Sequence, residues 1–509
     1  MNAIASNPKA TRREWLGLAV IALPCVLYAM DLTVLNLALP RISEDLRPSA
    51  TKLLWIVDIY GFFVAGLLIT MGNLGDRIGR RRLLLGAAAF GVASVAASLS
   101  RSAGTLIAAR ALLGVAGATL APSTLSLIRN MFLDPQQRTV AVGVWISSYS
   151  IGGAIGPLLG GVMLQHFHWG SVFLLGVPVM VLLLIVGPIL LPEYRAPNAR
   201  RMDLGSAALS LVAVLAVVYG MKICAQRGFG WLPVGAIGAG LGVGVAFVRR
   251  QRRLADPLID LRLFRVPAFS ASLVTYLLAT LVTFGAYVVV GQYLQLVLGL
   301  SPLRAGLWML PWSASYVVGS FLSPALARRI RPAFVMGGGL LLAALGFMAV
   351  TRVATLGVEA IILASVLYSL GMSAVFTLGT DIIVGAAPPR SAGAAAAISE
   401  TSSELGGALG IAVLGSIGTA IYRGDMIQVG LADLPAGART AALDTLGGAA
   451  AVAAQLSSSG GVRLIEAARA ASTHALQVTL SLCAAVSVVA ALVVLLGLRR
   501  ADGGDEVGS

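Results

Sequence analysis

The sequence predicts an all-α polytopic membrane protein, built as two pseudo-symmetric six-helix lobes joined by a two-helix insert. Three observations carry this. The 509 residues are 58% hydrophobic and 12% charged, with mean hydropathy +0.88, and a soluble chain of that size could not hide so much apolar surface. The apolar residues come in continuous runs long enough to cross a bilayer as helices, about 20 residues each, rather than in the short alternating segments of a barrel. The Lys and Arg residues gather in short clusters between the runs. A net charge of +15 on its own points to nucleic acid as a partner, but clusters at the ends of spans are explained by the positive-inside rule.

Fourteen spans follow in order, near 15–38, 54–75, 83–100, 105–128, 139–164, 171–191, 204–223, 231–248, 268–298, 303–327, 333–351, 358–383, 391–422 and 475–498. A cytoplasmic N-terminus puts roughly three times as many Lys and Arg in the inner segments as in the short outer loops, so both termini are expected inside. The basic start (Lys9, Arg12, Arg13) leads straight into the first span, with no cleavable signal expected. The connection 423–473 is long, outer and Ala/Gly-rich, with short helices expected and no chemistry. Cys25, Cys224 and Cys483 lie in or beside spans without metal or disulfide spacing. His166 and His168, with no third ligand nearby, read as a polar loop.

An internal repeat sets the domain boundaries. Arg138 opens a span running to Gly152-Gly153-Ala154-Ile155-Gly156, and Arg390, 252 residues later, opens one running to Gly406-Gly407-Ala408-Leu409-Gly410. Leu74-Gly75-Asp76-Arg77-Ile78 has a worn echo at Leu326-Ala327-Arg328-Arg329-Ile330. The expected units are a first lobe 1–195, an insert 196–266 carrying spans 7 and 8 and a basic cytoplasmic loop, and a second lobe 267–509. Parallel halves of this kind form transporters with the substrate site between them.

The candidate functional residues are the polar groups inside spans. Asp31 lies well within span 1, beside Thr33 and Asn36, with no other charge in that span. A carboxylate there costs about 2.5–3.5 kcal/mol on insertion scales and marks a functional site by default. Glu400 and Glu404 share one helical face of span 13 about ten to fourteen residues past Arg390. Two acids in low dielectric resist ionising together, which leaves a proton to carry. Asp58 and Asp381 sit nearer the mouths. Trp55, Tyr60, Tyr149, Trp312 and Phe376 are rings able to face a cation, worth roughly 0.5–2 kcal/mol each when desolvated.

Longer motifs sharpen the reading. Gly72-Asn73-Leu74-Gly75-Asp76-Arg77-Ile78-Gly79-Arg80-Arg81 resembles the loop 2–3 signature of the major facilitator superfamily, whose resemblance implies a conformational role for Gly72, Asp76, Arg77, Gly79 and Arg80. Gly152-x-x-x-Gly156-Pro157-x-x-Gly160-Gly161 resembles the antiporter motif of that superfamily's exporters. Arg110, with Gly114, is similar to an R-x-x-q-G pattern tied to proton handling, with Leu113 replacing the usual polar residue. The span 1 stretch from Met30 to Pro40 and Trp55-Ile56-Val57-Asp58-Ile59-Tyr60 resemble the fourteen-span drug:proton antiporters.

The resemblance implies a proton-driven exporter of lipophilic cations (dyes, quaternary ammonium compounds, fluoroquinolones) in a bacterial inner membrane. It implies a monomer that uses the proton gradient and no cofactor or metal, with cationic drugs, protons and the lipid bilayer as partners and no nucleic acid. Span 10 lacks the acid some dication exporters carry after its Leu310-Pro311, which favours monovalent cations. The alternative is an exporter of an endogenous metabolite or lipid. An enzyme is disfavoured, since three His residues supply no H-E-x-x-H or equivalent constellation.

Overall fold

The computed structural model describes residues 8–48, 50–195, 203–227, 230–254, 257–300, 304, 307–352, 358–388, 391–429, 434–456 and 458–502, and these residues form helices and turns without a strand. The first six spans are α1 (Arg12–Leu46), α2 (Ala50–Ile78), α3 (Arg80–Gly86) with α4 (Ala89–Ser98), α5 (Ala103–Gly117) with α6 (Leu120–Met131), α7 (Pro135–His166), and α8 (Ser171–Leu174) with α9 (Gly176–Leu190). The next two are α10 (Leu204–Arg227) and α11 (Trp231–Gln251). Then come α12 (Pro267–Gln292), α13 (Leu310–Ala327), α14 (Pro332–Val350), α15 (Val358–Ala386), α16 (Ala392–Ile427), α17 (Ala436–Asp444), α18 (Leu446–Ala453) and α19 (Ser458–Asp502).

Caps set several starts. Thr11 and Glu14 form a reciprocal capping box before α1. Asp134 accepts from Gln137 N ahead of Pro135, the first residue of α7. Such caps satisfy orphan backbone donors and are worth about 1 kcal/mol each.

Thirteen helices among the described residues are long and apolar enough to span a bilayer, so the chain is a multi-pass membrane protein. The expected tenth span is the exception: α13 occupies its place but is only 18 residues long and rich in Ser, with Pro324 inside it. Expected position Arg390 lies outside the described residues. The last span also differs from expectation. Its helix begins at Ser458, not near 475, because Ala-rich sequence keeps helical propensity through Arg463, Glu466 and Arg469 where hydropathy has already fallen. With α17 and α18 this early part of α19 encloses its own small core, which includes Tyr422, Met426, Leu446, Leu464 and Ala468.

α1 packs on α7 and α12 on α16, while α2 meets α16 and α7 meets α13. α10 and α11 pair with each other, and α10 rests on α2 and α16. Arg250, in the last turn of α11, grips Asp203, just ahead of α10, through two hydrogen bonds of 2.8 and 3.1 Å. That bond, with Ser206 second, holds the Asp203 carboxyl well below the usual range. The clasp is therefore present above the ordinary Asp pKa and is lost only as pH falls through the depressed one.

Candidate functional site

Asp31 is not the lone anion the sequence suggested. Its Oδ2 lies 2.8 Å from Arg110 Nη1, and the Arg110 side chain is 1% exposed. The guanidinium also donates to Ile56 O at 3.1 Å and Val57 O at 3.5 Å, and sits 5.0 Å over the Tyr60 ring. Three spans thus meet at one charge pair. Gly114, one turn on, permits the approach, since a Cβ there would strike Tyr60 O and Phe63. Leu113, in place of the usual polar residue, is fully buried.

Tyr28 lies three residues before Asp31, on the same face of α1. Its hydroxyl is 3.4 Å from Glu404 Oε1, and its ring stands 5.8 Å from Tyr60 and 5.7 Å from Tyr149. Tyr149 packs on Trp145 at 4.8 Å, and Trp145 Nε1 donates to Thr124. Glu400 lies one turn from Glu404. Its Oε1 is buried without a hydrogen-bond partner, and Tyr28, Tyr149, Tyr276 and Tyr316 are all near enough to feel its charge. Phe376 closes the far side, 5.1 Å from Tyr276 and 6.0 Å from Tyr316. The chemistry of the centre is that of two carboxylates among rings contributed by α1, α2, α7, α12, α13 and α15.

Tyr60, Tyr149 and Phe376 therefore join Asp31, Arg110, Glu400 and Glu404. Trp55 does not join them through its ring: it is 39% exposed and pairs with Phe62, which in turn faces Tyr219 of α10. Trp312 pairs with Tyr287 and Tyr368, and Asp58 is half-buried on the Trp55 side of α2. Sequence reasoning missed Tyr28, Tyr276 and Tyr316. For Tyr28 the signal was its i, i+3 relation to Asp31.

The antiporter-type glycines lie directly against the Asp31 stretch. A Cβ on Gly152 would strike Val26 O and Ala29, one on Gly156 would strike Thr33 and Met30, and one on Gly160 would strike Val34. Gly161 faces open space, and the Pro157 side chain lies outside the described residues. The same close approach recurs between α16 and α12, where Gly406 meets Leu277 O and Thr280 and Gly410 meets Leu281 O. Gly156→Val is expected to cut efflux at least tenfold, with overpacking of about 1–3 kcal/mol, whereas Gly161→Ala should change nothing. Membrane levels and dye efflux measured together check this, and equal behaviour of the two variants would refute it.

At the Arg-rich end, Gly72 lies against Gly393 O and Ala397. Asp76 is ion-paired with the fully buried Arg80, whose guanidinium lies where a Cβ on Gly393 would go. Arg77 Nε donates to Asn73 Oδ1 at 2.6 Å. Gly79 has φ +115° with Glu193 beneath it, a conformation and a space that both demand glycine. Nearby, Asp381, read from sequence as a rim residue, takes Arg138 Nε and Thr139 Oγ1, each at 2.6 Å. Arg129 Nη2 donates to Ala387 O at 2.5 Å. These bonds tie α6 and α7 to α15 and the segment that follows it.

Over residues 21–411 the sequence matches the Major Facilitator Superfamily. The chain belongs to that superfamily. It is 44% identical over 506 residues to the multidrug efflux pump LfrA of Mycolicibacterium smegmatis, covering 98% of this chain and 99% of that protein. It is 36% identical over 500 residues to the methyl viologen resistance protein SmvA of Salmonella typhimurium, covering 96% and 99%. Among solved structures it is similar to the human organic anion transporter MFSD10, with TM-score 0.62 and 16% identity over 94% of this chain and 99% of that one. A bacterial homologue of the lysosomal transporter Spinster gives TM-score 0.56 and 18% identity over 96% and 99%. At those identities the likeness is one of fold. As a major facilitator the protein is a transporter and not an enzyme.

Proposed function

We propose that this protein exports lipophilic organic cations in exchange for protons across a bacterial inner membrane, by alternating access with both termini in the cytoplasm. The observation that carries the reading is the pair Glu400 and Glu404 on one face of α16, set among rings from many helices, with Glu404 3.4 Å from Tyr28 and Tyr28 one turn from the Asp31–Arg110 pair. Support also comes from the whole-chain likeness to LfrA and SmvA, an efflux pump and a resistance protein by name. A cation about 4 Å from one carboxylate gains on the order of 4 kcal/mol at an effective dielectric of 20. Protonating that carboxylate removes the attraction, a factor of roughly 10³ in affinity. The difference between the two protonation states is the coupling. Asp31, matched by Arg110 in this state, enters the cycle when a proton or a cation takes the place of the guanidinium.

An inner-negative potential opposes export of one positive charge by about 2.3 kcal/mol per 100 mV, so returning protons must more than offset it. Purified protein in liposomes with an imposed pH gradient, loaded with ethidium (one charge) or methyl viologen (two charges), tests the proposal. Uphill movement that stops with a protonophore is expected. Movement indifferent to the gradient would overturn the proton coupling, and movement of neither cation would overturn the export reading.

A further inference from the structure

Between α11 and α12 the chain carries a second feature that the transport site does not use. Arg249, Arg252, Arg253, Arg262 and Arg265 are exposed, and none of their guanidinium groups makes a hydrogen bond or ion pair among the described residues. Elsewhere at this end of the bundle Arg80, Arg81, Arg82, Arg138 and Arg250 all hold carboxylates. The five free cations are presented on a built surface. Residues Leu261–Arg265 form a 3₁₀ turn, capped by Asp260 through Arg262 N at 2.9 Å and anchored by buried Leu258, Ile259 and Leu263. In a 3₁₀ turn positions three apart eclipse, so Arg262 and Arg265 project together. Beside them Phe264 is 42% and Val266 39% exposed.

The position decides the partner. Arg249 is in the last turn of α11 and Arg265 stands two residues before α12 begins, so the patch lies where two spans leave the membrane. Guanidinium groups alternating with an exposed aromatic and a β-branched side chain suit the boundary between headgroups and acyl chains, and a soluble polyanion would have no use for the apolar part. We propose that this patch binds the phosphate of anionic glycerophospholipids in the leaflet it faces, each free Arg raising the local partition about fivefold.

The patch is also wired to the loop 2–3 motif. Leu258 N donates to Gln251 Oε1 at 2.7 Å, Gln251 Nε2 donates to Ser206 Oγ at 2.7 Å, and Leu258 O accepts from Asn73 Nδ2 at 3.4 Å. Asn73 in turn holds Arg77. A lipid that steadies this turn therefore steadies the end of α2, whichever way the substrate moves.

The test reads lipid binding without transport, so it stands or falls apart from the export proposal. Full-length protein in detergent is equilibrated with phosphatidylglycerol or phosphatidylcholine and the bound lipid is counted by native mass spectrometry. Wild type should retain phosphatidylglycerol at least tenfold better. Arg262→Ala/Arg265→Ala should lose at least fivefold of that retention, and Arg262→Lys/Arg265→Lys, monodisperse and at normal level, should keep most of it. Arg328→Gln/Arg329→Gln, which removes exposed charges from a turn without the buried anchor, should bind as wild type does. In nanodiscs, phosphatidylglycerol should increase hydrogen-exchange protection around 72–79 in wild type and not in the Ala pair. Equal retention of the two lipids, equal loss from the Arg328/Arg329 pair, displacement of lipid by millimolar inorganic phosphate, or protection around 72–79 that ignores the lipid would each overturn the proposal.

Discussion

Asp31→Asn is expected to abolish energised efflux and to lower the amount of folded protein. The reason is Arg110, which is 1% exposed and has Asp31 as its counter-ion at 2.8 Å. Removing one partner of a buried pair typically costs about 3–5 kcal/mol, because the remaining charge is left uncompensated. Two carbonyls and the Tyr60 ring would still face the guanidinium, so part of the cost is recovered. The double variant Asp31→Asn/Arg110→Gln separates the two roles. It should regain membrane level, since a neutral pair replaces an ionic one, but not uphill transport. Quantified membrane levels together with dye efflux under a pH gradient decide the matter. An Asp31→Asn protein that is abundant and pumps normally would show that the pair has no part in coupling.

The second large effect concerns Glu404 and Glu400. Glu404→Gln should still bind ethidium, but with affinity that no longer responds to pH, and should fail to pump uphill. Glu400→Gln should do the same, with a weaker affinity, because Glu400 Oε1 has no hydrogen-bond partner to hold it away from a guest. Wild-type affinity should fall about 10³-fold between the ionised and protonated states, by the estimate of one carboxylate near one cation. Titrating dye binding to purified protein across pH, for wild type and both variants, is the measurement. Unaltered affinity and unaltered pH response in both variants would remove these acids from the mechanism.

Much of this architecture was legible in the residues. Spans announce themselves because the bilayer tolerates only long apolar helices, and the glycine-spaced motifs are legible because close backbone approach leaves no alternative to glycine at Gly152 or Gly156. The pairing of Asp31 with Arg110 was not legible. The two residues lie 79 apart in sequence, and nothing local sets which faces of α1 and α5 meet. Tyr28 was hidden for a related reason, since one aromatic in an apolar run looks the same whether it faces lipid or a carboxylate. Asp381 keeps its place near the Arg-rich end, but its partners, Arg138 and Thr139, could not be read because they lie on a helix about 240 residues earlier in the chain. Hydropathy also set the start of the last helix too late, because the Ala-rich stretch through Arg463 and Arg469 is polar enough to leave a membrane and still helical enough to extend it.

The seam at the Arg-rich end has a thermal consequence. There Gly72 meets the Gly393 backbone and Gly143 meets Ser320 O, and the fastening is by Arg138, Thr139 and Arg129 on Asp381 and Ala387 O. Parting such a seam uncovers peptide groups and charges along with the small apolar surface of glycine and alanine. Apolar exposure raises heat capacity by about 0.45 cal/K/mol/Å² and polar exposure lowers it by about 0.26. Each Å² of polar surface uncovered there offsets a little over half of what an Å² of apolar surface adds, so the heat-capacity change is smaller than for a wholly apolar seam. The balance between the state open at this end and the state closed there should then change with temperature along a line far less curved than that of folding.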